Sequence, residues 1–222
     1  MEFVDIHTHK LPEEPQNSLH GKNITVVNCS PNADIERFEY CSVGIHPWDV
    51  TKNWHDDFEI LKKQVLQPQV VAIGECGLDK LRGGEWSLQK DCFQAQIDLA
   101  KQTGKPLVLH CVKAVDEVIR MCVGVKCIFH GFRGKPEQAK QLLQKGFDLS
   151  FGEKFNADSL TLAWKAGRMW LETDESECTI EQIYQQAAKA LRISPTDIVV
   201  PGTIKLGAIS SRGSSTNRRS DR

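Results

Sequence analysis

Eight continuous apolar runs recur along this chain, at 3–7, 24–30, 41–46, 70–74, 106–110, 126–130, 146–151 and 168–173. Continuous apolar runs, unlike alternating ones, suit parallel strands buried on both faces. Parallel strands need crossovers, and the spacing between runs predicts helices at 86–103, 136–145 and 180–191. The first places Phe93, Ile97 and Ala100 on one face and stops at Gly104. The second opens with Pro136, turns Leu142 and Leu143 inward and ends before Gly146. The third carries Ile183, Ala187 and Leu191 on one stripe. Strand, helix, strand repeated about eight times predicts an α/β fold, a (β/α)8 TIM-like barrel. At 222 residues the chain is short for one, so some crossovers must be minimal. The rival is an open doubly wound sheet, whose nucleotide-binding form is weakened by the lack of Gly-x-Gly-x-x-Gly after the first run.

Residues 10–22 have no helical period and contain Pro12 and Pro15, so they read as a loop over the barrel mouth. From 205 to 222 almost nothing apolar follows Ile209, and this stretch reads as a disordered tail. The expected division is therefore a barrel domain at 1–204 and a tail at 205–222, with no final helix visible there.

The strand ends carry the chemistry. His7 and His9 flank Thr8 at the end of the first run, and alternation points both imidazoles to one side. The fourth run leads to Glu75, the fifth ends in His110, the sixth in His130, and the eighth runs into Glu172-Thr173-Asp174. In a parallel barrel these ends open on one face, where barrel active sites lie. His7, His9, Glu75, His110, His130 and Asp174 are thus the candidate metal ligands. Imidazole with carboxylate suits zinc, manganese, iron or nickel, with magnesium a further candidate. No thiolate cluster is present, so the expected site is catalytic, with open positions. Six ligands exceed the need of one ion, and a two-metal site is the natural reading. Glu75 is placed to bridge two divalent ions. Asp174 could bind one and accept a proton from water whose pKa a metal lowers towards about 7.

Around these stand further candidates. Lys113 and Arg133 follow metal-type histidines and would suit a phosphate oxygen. His46, before Pro47, could reach substrate. Trp48, Trp54 and Trp86 could offer a stacking face to a base, while Trp164 and Trp170 are expected in the core and His20 and His55 at the surface. Cys76 and Cys111 adjoin ligand positions, but no separate base activates them as nucleophiles.

Composition narrows the classes. A net charge of −1 gives no broad basic field for long nucleic acid, though a local cationic rim stays open. The 8 cysteines form no Cys-x-x-Cys pair, so zinc-ribbon and thioredoxin readings fail. Glu2 and Asp5 stand where a secretory leader would be basic and then apolar, and no run approaches a membrane span. A reduced cytoplasm is the expected compartment, with no membrane contact and no stable protein partner.

Asp5-x-His7-x-His9, Gly44-Ile45-His46-Pro47, Ile73-Gly74-Glu75-x-Gly77-Leu78-Asp79, Pro106-x-x-x-His110, His130-Gly131-Phe132-x-Gly134, Ser150-Phe151-Gly152 and Leu171-Glu172-Thr173-Asp174 occur in that order. This series resembles the motifs of the TatD family, metal-dependent deoxyribonucleases of the amidohydrolase-like TIM-barrel superfamily, over roughly residues 3 to 200. The resemblance implies a metal-dependent hydrolase and carries metal-ligand roles onto the same six residues. Three places depart from the family pattern. Cys111-Val112-Lys113 stands where a small residue and Arg are usual. Gly131-Phe132-Arg133-Gly134 stands for Cys-Phe-Ser-Gly. Glu175-Ser176 replaces a Pro-aromatic pair.

The leading expectation is a phosphodiesterase acting on DNA, at single-stranded or frayed ends, by metal-activated water. The second is an amide or ester hydrolase, or a deacylase of a small or tRNA-linked substrate, on the same barrel. No lysine stands at the fourth strand end, where Glu75 does, which disfavours a carbamylated-lysine site. A third, non-catalytic metal-binding protein, has no use for the free carboxylate of Asp174.

Overall fold

The computed structural model describes residues 3–11 and 23–201. Of the expected mouth loop at 10–22, residues 12–22 with His20 lie outside the described residues, as does the tail from 205 to 222. The strands are β1 (Val4–Thr8), β2 (Ile24–Cys29), β3 (Tyr40–Val43), β4 (Val70–Asp79), β5 (Leu107–Val112), β6 (Cys127–Phe129), β7 (Asp148–Phe151) and β8 (Met169–Leu171). All neighbours pair in parallel in the order β1 through β8. The sheet closes on itself where the chain leaves β8. The Asp174 N–H donates to the His7 carbonyl at 2.9 Å, and the Thr173 hydroxyl donates to Asp5 Oδ2 at 2.6 Å. The result is the expected eight-stranded barrel.

The helices are α1 (Trp54–Gln64), α2 (Trp86–Thr103), α3 (Val115–Met121), α4 (Pro136–Gln144), α5 (Ala157–Lys165) and α6 (Ile180–Leu191). Those read from sequence, α2, α4 and α6, have the clearest punctuation. Gly104 ends α2 in the left-handed conformation at φ 69°, and Thr179 and Gln182 form a reciprocal capping box on α6. Two of the other three, α1 and α3, have thin apolar stripes, whereas α5 buries Leu160 and Ala163 and starts on an Asn156 cap. Among α1 only Trp54 and Leu61 are buried, and among α3 only Val118. Among the described residues β2 and β3 are joined without a helix, one of the minimal crossovers the length demanded.

Two apolar layers result. Outside the strands, Leu61, Phe93, Ile97, Leu107, Leu109, Leu142 and Leu160 fill the space between barrel and helices. Inside it, Val4, Ile6, Val26, Tyr40, Ala72, Val108, Ile128 and Trp170 form the barrel floor. Each fully buried large side chain contributes about 1.5–3 kcal/mol. Trp170 is completely buried, with its indole N–H donated to Asp148 Oδ2 at 3.1 Å. Trp164 is partly buried against the outer layer, as its expected core role requires.

Two register shifts decide what points into the upper half of this interior. Val4 and Ile6 face inward, so simple alternation would send His7 outward. Between Asp5 and Thr8 the pairing of β1 with β2 slips by one residue, and His7 and His9 join the inward set. Strand β4 repeats the device between Ile73 and Cys76, turning Glu75 inward and Cys76 outward into the outer layer. Strand β4 also continues to Asp79, five residues beyond the run read from sequence. Glycine is required here: a Cβ on Gly77, at φ +139°, would lie 2.0 Å from the His110 carbonyl oxygen.

Candidate metal centre

The six expected ligands converge at the C-terminal mouth around one carboxylate. Glu75 is buried, at 4% exposure. Its Oε1 lies 2.8 Å from His110 Nδ1, 2.8 Å from His130 Nε2 and 3.1 Å from His46 Nε2. Its Oε2 lies 3.4 Å from His7 Nε2 and 3.3 Å from His9 Nε2. Asp174 Oδ1 completes the ring, 3.8 Å from His7 Nε2 and 3.6 Å from His9 Nε2. Burial pushes the Glu75 carboxyl up, but the imidazoles of His130, His110 and His46 overcome it and hold Glu75 well below the usual carboxylate range. Burial likewise opposes charge on His130, and Glu75 and Glu172 outweigh it. For Asp174, burial is the larger effect and raises the carboxyl above its ordinary value.

These donors fit divalent cations. His7 is fully buried, yet neither of its ring nitrogens has a hydrogen-bond partner, and Nε2 is aimed between Glu75 and Asp174. An orphaned imidazole facing two carboxylates is costly unless a cation is shared among them. Three residue groups have ligand atoms close enough to hold one ion: His7, His9 and Glu75; His7, His130 and Asp174; His46, Glu75 and His110.

Surrounding side chains set the tautomers. Asp79 Oδ2 accepts from His110 Nε2 at 3.1 Å, which leaves the Nδ1 lone pair facing the centre. Glu172, fully buried, lies 3.5 Å from His130 Nδ1 and accepts the Gly131 N–H at 2.5 Å. Asn28 Oδ1 accepts the Glu75 N–H at 2.6 Å, and Asp5 accepts from the Thr173 N–H and hydroxyl. Burial raises the Asp5 carboxyl to about 7. His46 differs from the ligands. Its Nδ1 accepts the Trp48 N–H at 3.1 Å, so Nε2 carries the proton and points it at Glu75. His46 is therefore a donor to the centre.

Asp79 and Glu172 stand inside sequence motifs that give no sign of these supporting tasks, and nothing in the sequence marks a task for Asp5 or Asn28. Glu172 lies just past the end of β8, at Leu171, where period-two alternation no longer applies.

The outlying candidates sort by place. Lys113 and Arg133 are exposed beyond the ends of β5 and β6, each lining a shallow depression. Trp48 is 40% exposed, with its ring 4.7 Å from that of His46. Trp86 is partly buried, and Lys80 Nζ stands 5.2 Å over its ring. Trp54 corrects an expectation: it is buried in the first turn of α1, stacked on exposed His55 at 3.9 Å, and offers no free face. Burial raises both thiols beside the site, Cys111 to about 12, so neither is a thiolate nucleophile.

A family model described as TatD related DNase matches residues 23–194. The chain belongs to this TatD family. Among curated proteins it is 34% identical over 125 residues to the uncharacterized metal-dependent hydrolase YabD of Bacillus subtilis, covering 52% of this chain and 48% of that protein. It is 36% identical over 108 residues to the 3'-5' ssDNA/RNA exonuclease TatD of Edwardsiella piscicida, covering 45% and 41%. This TatD-family chain thus matches about half the length of these relatives or less. The crystal structure of YJJV, a TatD homologue from Escherichia coli K12, superposes with a TM-score of 0.72 at 22% identity over 88% of this chain and 93% of that one, which establishes the shared barrel. No helix among the described residues is long and apolar enough to cross a membrane.

Proposed function

We propose that this chain hydrolyses phosphodiester bonds at the ends of single-stranded or frayed DNA, using two divalent metal ions. The observation that carries the proposal is the buried Glu75 carboxylate ringed by five imidazoles, with His7 orphaned against it. In this reading His7, His9, Glu75 and Asp174 would hold one ion. Glu75, His110 and His130 would hold the other, and zinc, manganese, magnesium and nickel are the candidates. Bound ions would supply Lewis acidity towards a phosphoryl oxygen and acidify water at neutral pH.

The chain's own residues supply the rest. Asp174, partly exposed and raised by burial, takes a proton on its carboxylate, and its backbone is pinned by the bond from its N–H to the His7 carbonyl. His46 presents its Nε2 proton to Glu75 and holds that carboxylate in place. Asp79 orients His110 by a hydrogen bond, and the Glu172 carboxylate stands 3.5 Å behind His130 Nδ1. Lys113 and Arg133 would meet phosphates farther along the strand. A barrel mouth takes in a terminus more easily than the middle of a duplex, and the net charge of −1 gives no track for one. The relatives named as ssDNA/RNA exonucleases agree with this substrate class.

The test is a time course on end-labelled linear and on circular single-stranded DNA with manganese or magnesium, beside a panel of esters and amides. Release of terminal nucleotides from the linear strand alone is expected. Rapid cutting of the circle would defeat the end-directed reading. Turnover only of an amide or ester would replace phosphodiester chemistry.

A further inference from the structure

The loop after β4 holds one cation in an unusual way. Arg82 Cζ lies 3.6 Å from the centroid of the Trp48 ring, stacked on an indole that is itself beside the metal-facing histidines. The Trp48 ring stands 4.7 Å from that of His46 and 5.4 Å from that of His110. The indole is pinned, its Nε1–H donated to Asp79 Oδ2 at 2.7 Å. The backbone of Arg82 is fixed from both sides. Its N–H donates to Asp79 Oδ1 at 3.1 Å, and its carbonyl accepts from buried Gln89 Nε2 at 3.2 Å. Gln89 also accepts the Asp79 N–H and donates to the Gly84 carbonyl, so one glutamine of α2 clamps the whole turn. Yet the exposed Arg82 guanidinium has no carboxylate within ion-pair distance among the described residues. Neighbouring Lys80 is engaged with Glu117 at 2.9 Å.

A planar cation laid on a fixed indole keeps its N–H edge free and loses little side-chain entropy when it captures an anion. We propose that Arg82, supported by Trp48, is a phosphate-binding subsite at the mouth, taking the phosphodiester next to the one being cut. This inference rests on the phosphodiesterase reading above. It places the nearest substrate cation on the loop after β4, one indole from the centre, where the sequence had suggested Lys113 and Arg133.

The experiment uses the full chain loaded with manganese and a fluorescein-labelled single-stranded octathymidylate with phosphorothioate linkages. Binding is followed by anisotropy across a salt series. Arg82→Gln should weaken binding roughly 10-fold and, by losing one phosphate contact, make the log–log salt slope shallower by about 0.7. Arg82→Lys should keep the slope while recovering only part of the affinity, because it lacks the planar fork. Metal content should match the unaltered protein in both variants. If Arg82→Gln binds with unaltered affinity and slope while the unaltered protein cuts DNA, the subsite is wrong and the phosphodiesterase reading stands. If Arg82→Gln loses metal, Arg82 is structural and the subsite is again wrong. If the unaltered protein turns over only neutral esters or amides, the phosphodiesterase reading falls and takes the subsite with it.

Discussion

Replacing Asp79 by asparagine should damage the metal centre more than replacing it by alanine, although asparagine is the closer mimic. Asp79 accepts four hydrogen bonds. Leu81 and Arg82 N–H reach Oδ1 at 2.8 and 3.1 Å, and Trp48 Nε1 and His110 Nε2 reach Oδ2 at 2.7 and 3.1 Å. An asparagine has one acceptor oxygen. Turned to the two backbone N–H groups, it keeps both bonds and its amide can also donate into the His110 Nε2 lone pair, while the Trp48 indole N–H loses its acceptor. Turned the other way, it meets two backbone N–H groups with an N–H of its own. The first arrangement wins by about one hydrogen bond, on the order of 1 kcal/mol. It also inverts His110, which then carries its proton on Nδ1, the atom that faces Glu75 at 2.8 Å. An imidazole protonated on its metal-facing nitrogen cannot ligate. Loss of such an orienting partner typically costs 10- to 100-fold in metal affinity, about 1.4–2.7 kcal/mol. Asp79→Ala removes the orientation but leaves His110 free to choose its tautomer, so its loss should lie below that of Asp79→Asn. The assay is competition for zinc between the metal-free protein and a chromophoric chelator at fixed pH, with circular dichroism melts to confirm folding. A folded Asp79→Asn that binds zinc as tightly as the unaltered protein, or more tightly than Asp79→Ala, would refute the tautomer argument.

Three other expectations follow from the same geometry. Gly77→Ala forces a Cβ to 2.0 Å from the His110 carbonyl at a backbone angle closed to side chains, so it should cost at least about 3 kcal/mol; a thermal melt reads this at roughly 2–4 °C per kcal/mol, and an unshifted Tm would contradict it. Asp174→Asn should keep most bound metal and lose roughly 10²–10⁴-fold in turnover, whereas Glu75→Gln should lose metal, as metal analysis beside a nuclease assay will show. Metal added to about 100 times its Kd should raise stability by about 2.7 kcal/mol. That gain should shrink at pH 5, where the ligating imidazoles must first release protons; a melt insensitive to metal at neutral pH would remove the centre altogether.

What the sequence disclosed and what it withheld divide along a physical line. The convergence of His7, His9, Glu75, His110, His130 and Asp174 was legible because each stands at the end of an apolar run, and because six residues of metal-binding type at the ends of parallel strands have one place to meet. The device that turns them inward was not. Period-two alternation puts His7 and His9 on the same side as each other but says nothing of which side, and Ile6 already claims the interior. The slip between Asp5 and Thr8 settles it, as the slip between Ile73 and Cys76 does for Glu75, and neither leaves a local signature beyond the glycines around Glu75. Helices α1 and α3 were missed for a related reason: each buries so little that tertiary packing, more than its own pattern, makes it a helix. Trp54 misled because an indole near a strand end reads the same whether it lines a mouth or plugs a helix start.

The placement of charge in the barrel also explains why the supporting carboxylates matter as much as the ligands. Below the centre the interior is closed by Val4, Ile6, Val26, Tyr40, Ala72, Val108, Ile128 and Trp170, a mainly apolar floor whose Trp170 N–H is taken up by Asp148. Above such a floor, electrostatic interactions are strong and an unpaired charge is expensive. A carboxylate behind an imidazole can commit its far nitrogen and leave the near lone pair for a cation, while buried His7 has neither ring nitrogen partnered. Asp79 does this for His110, and Glu172 is placed to do it for His130. His46 is committed the opposite way by the Trp48 N–H and so gives a proton where the others give lone pairs. What stands behind the rings of His110 and His46 sets them in different roles, and the loop from Asp79 to Gly84 supports both His110 and the stacked Arg82.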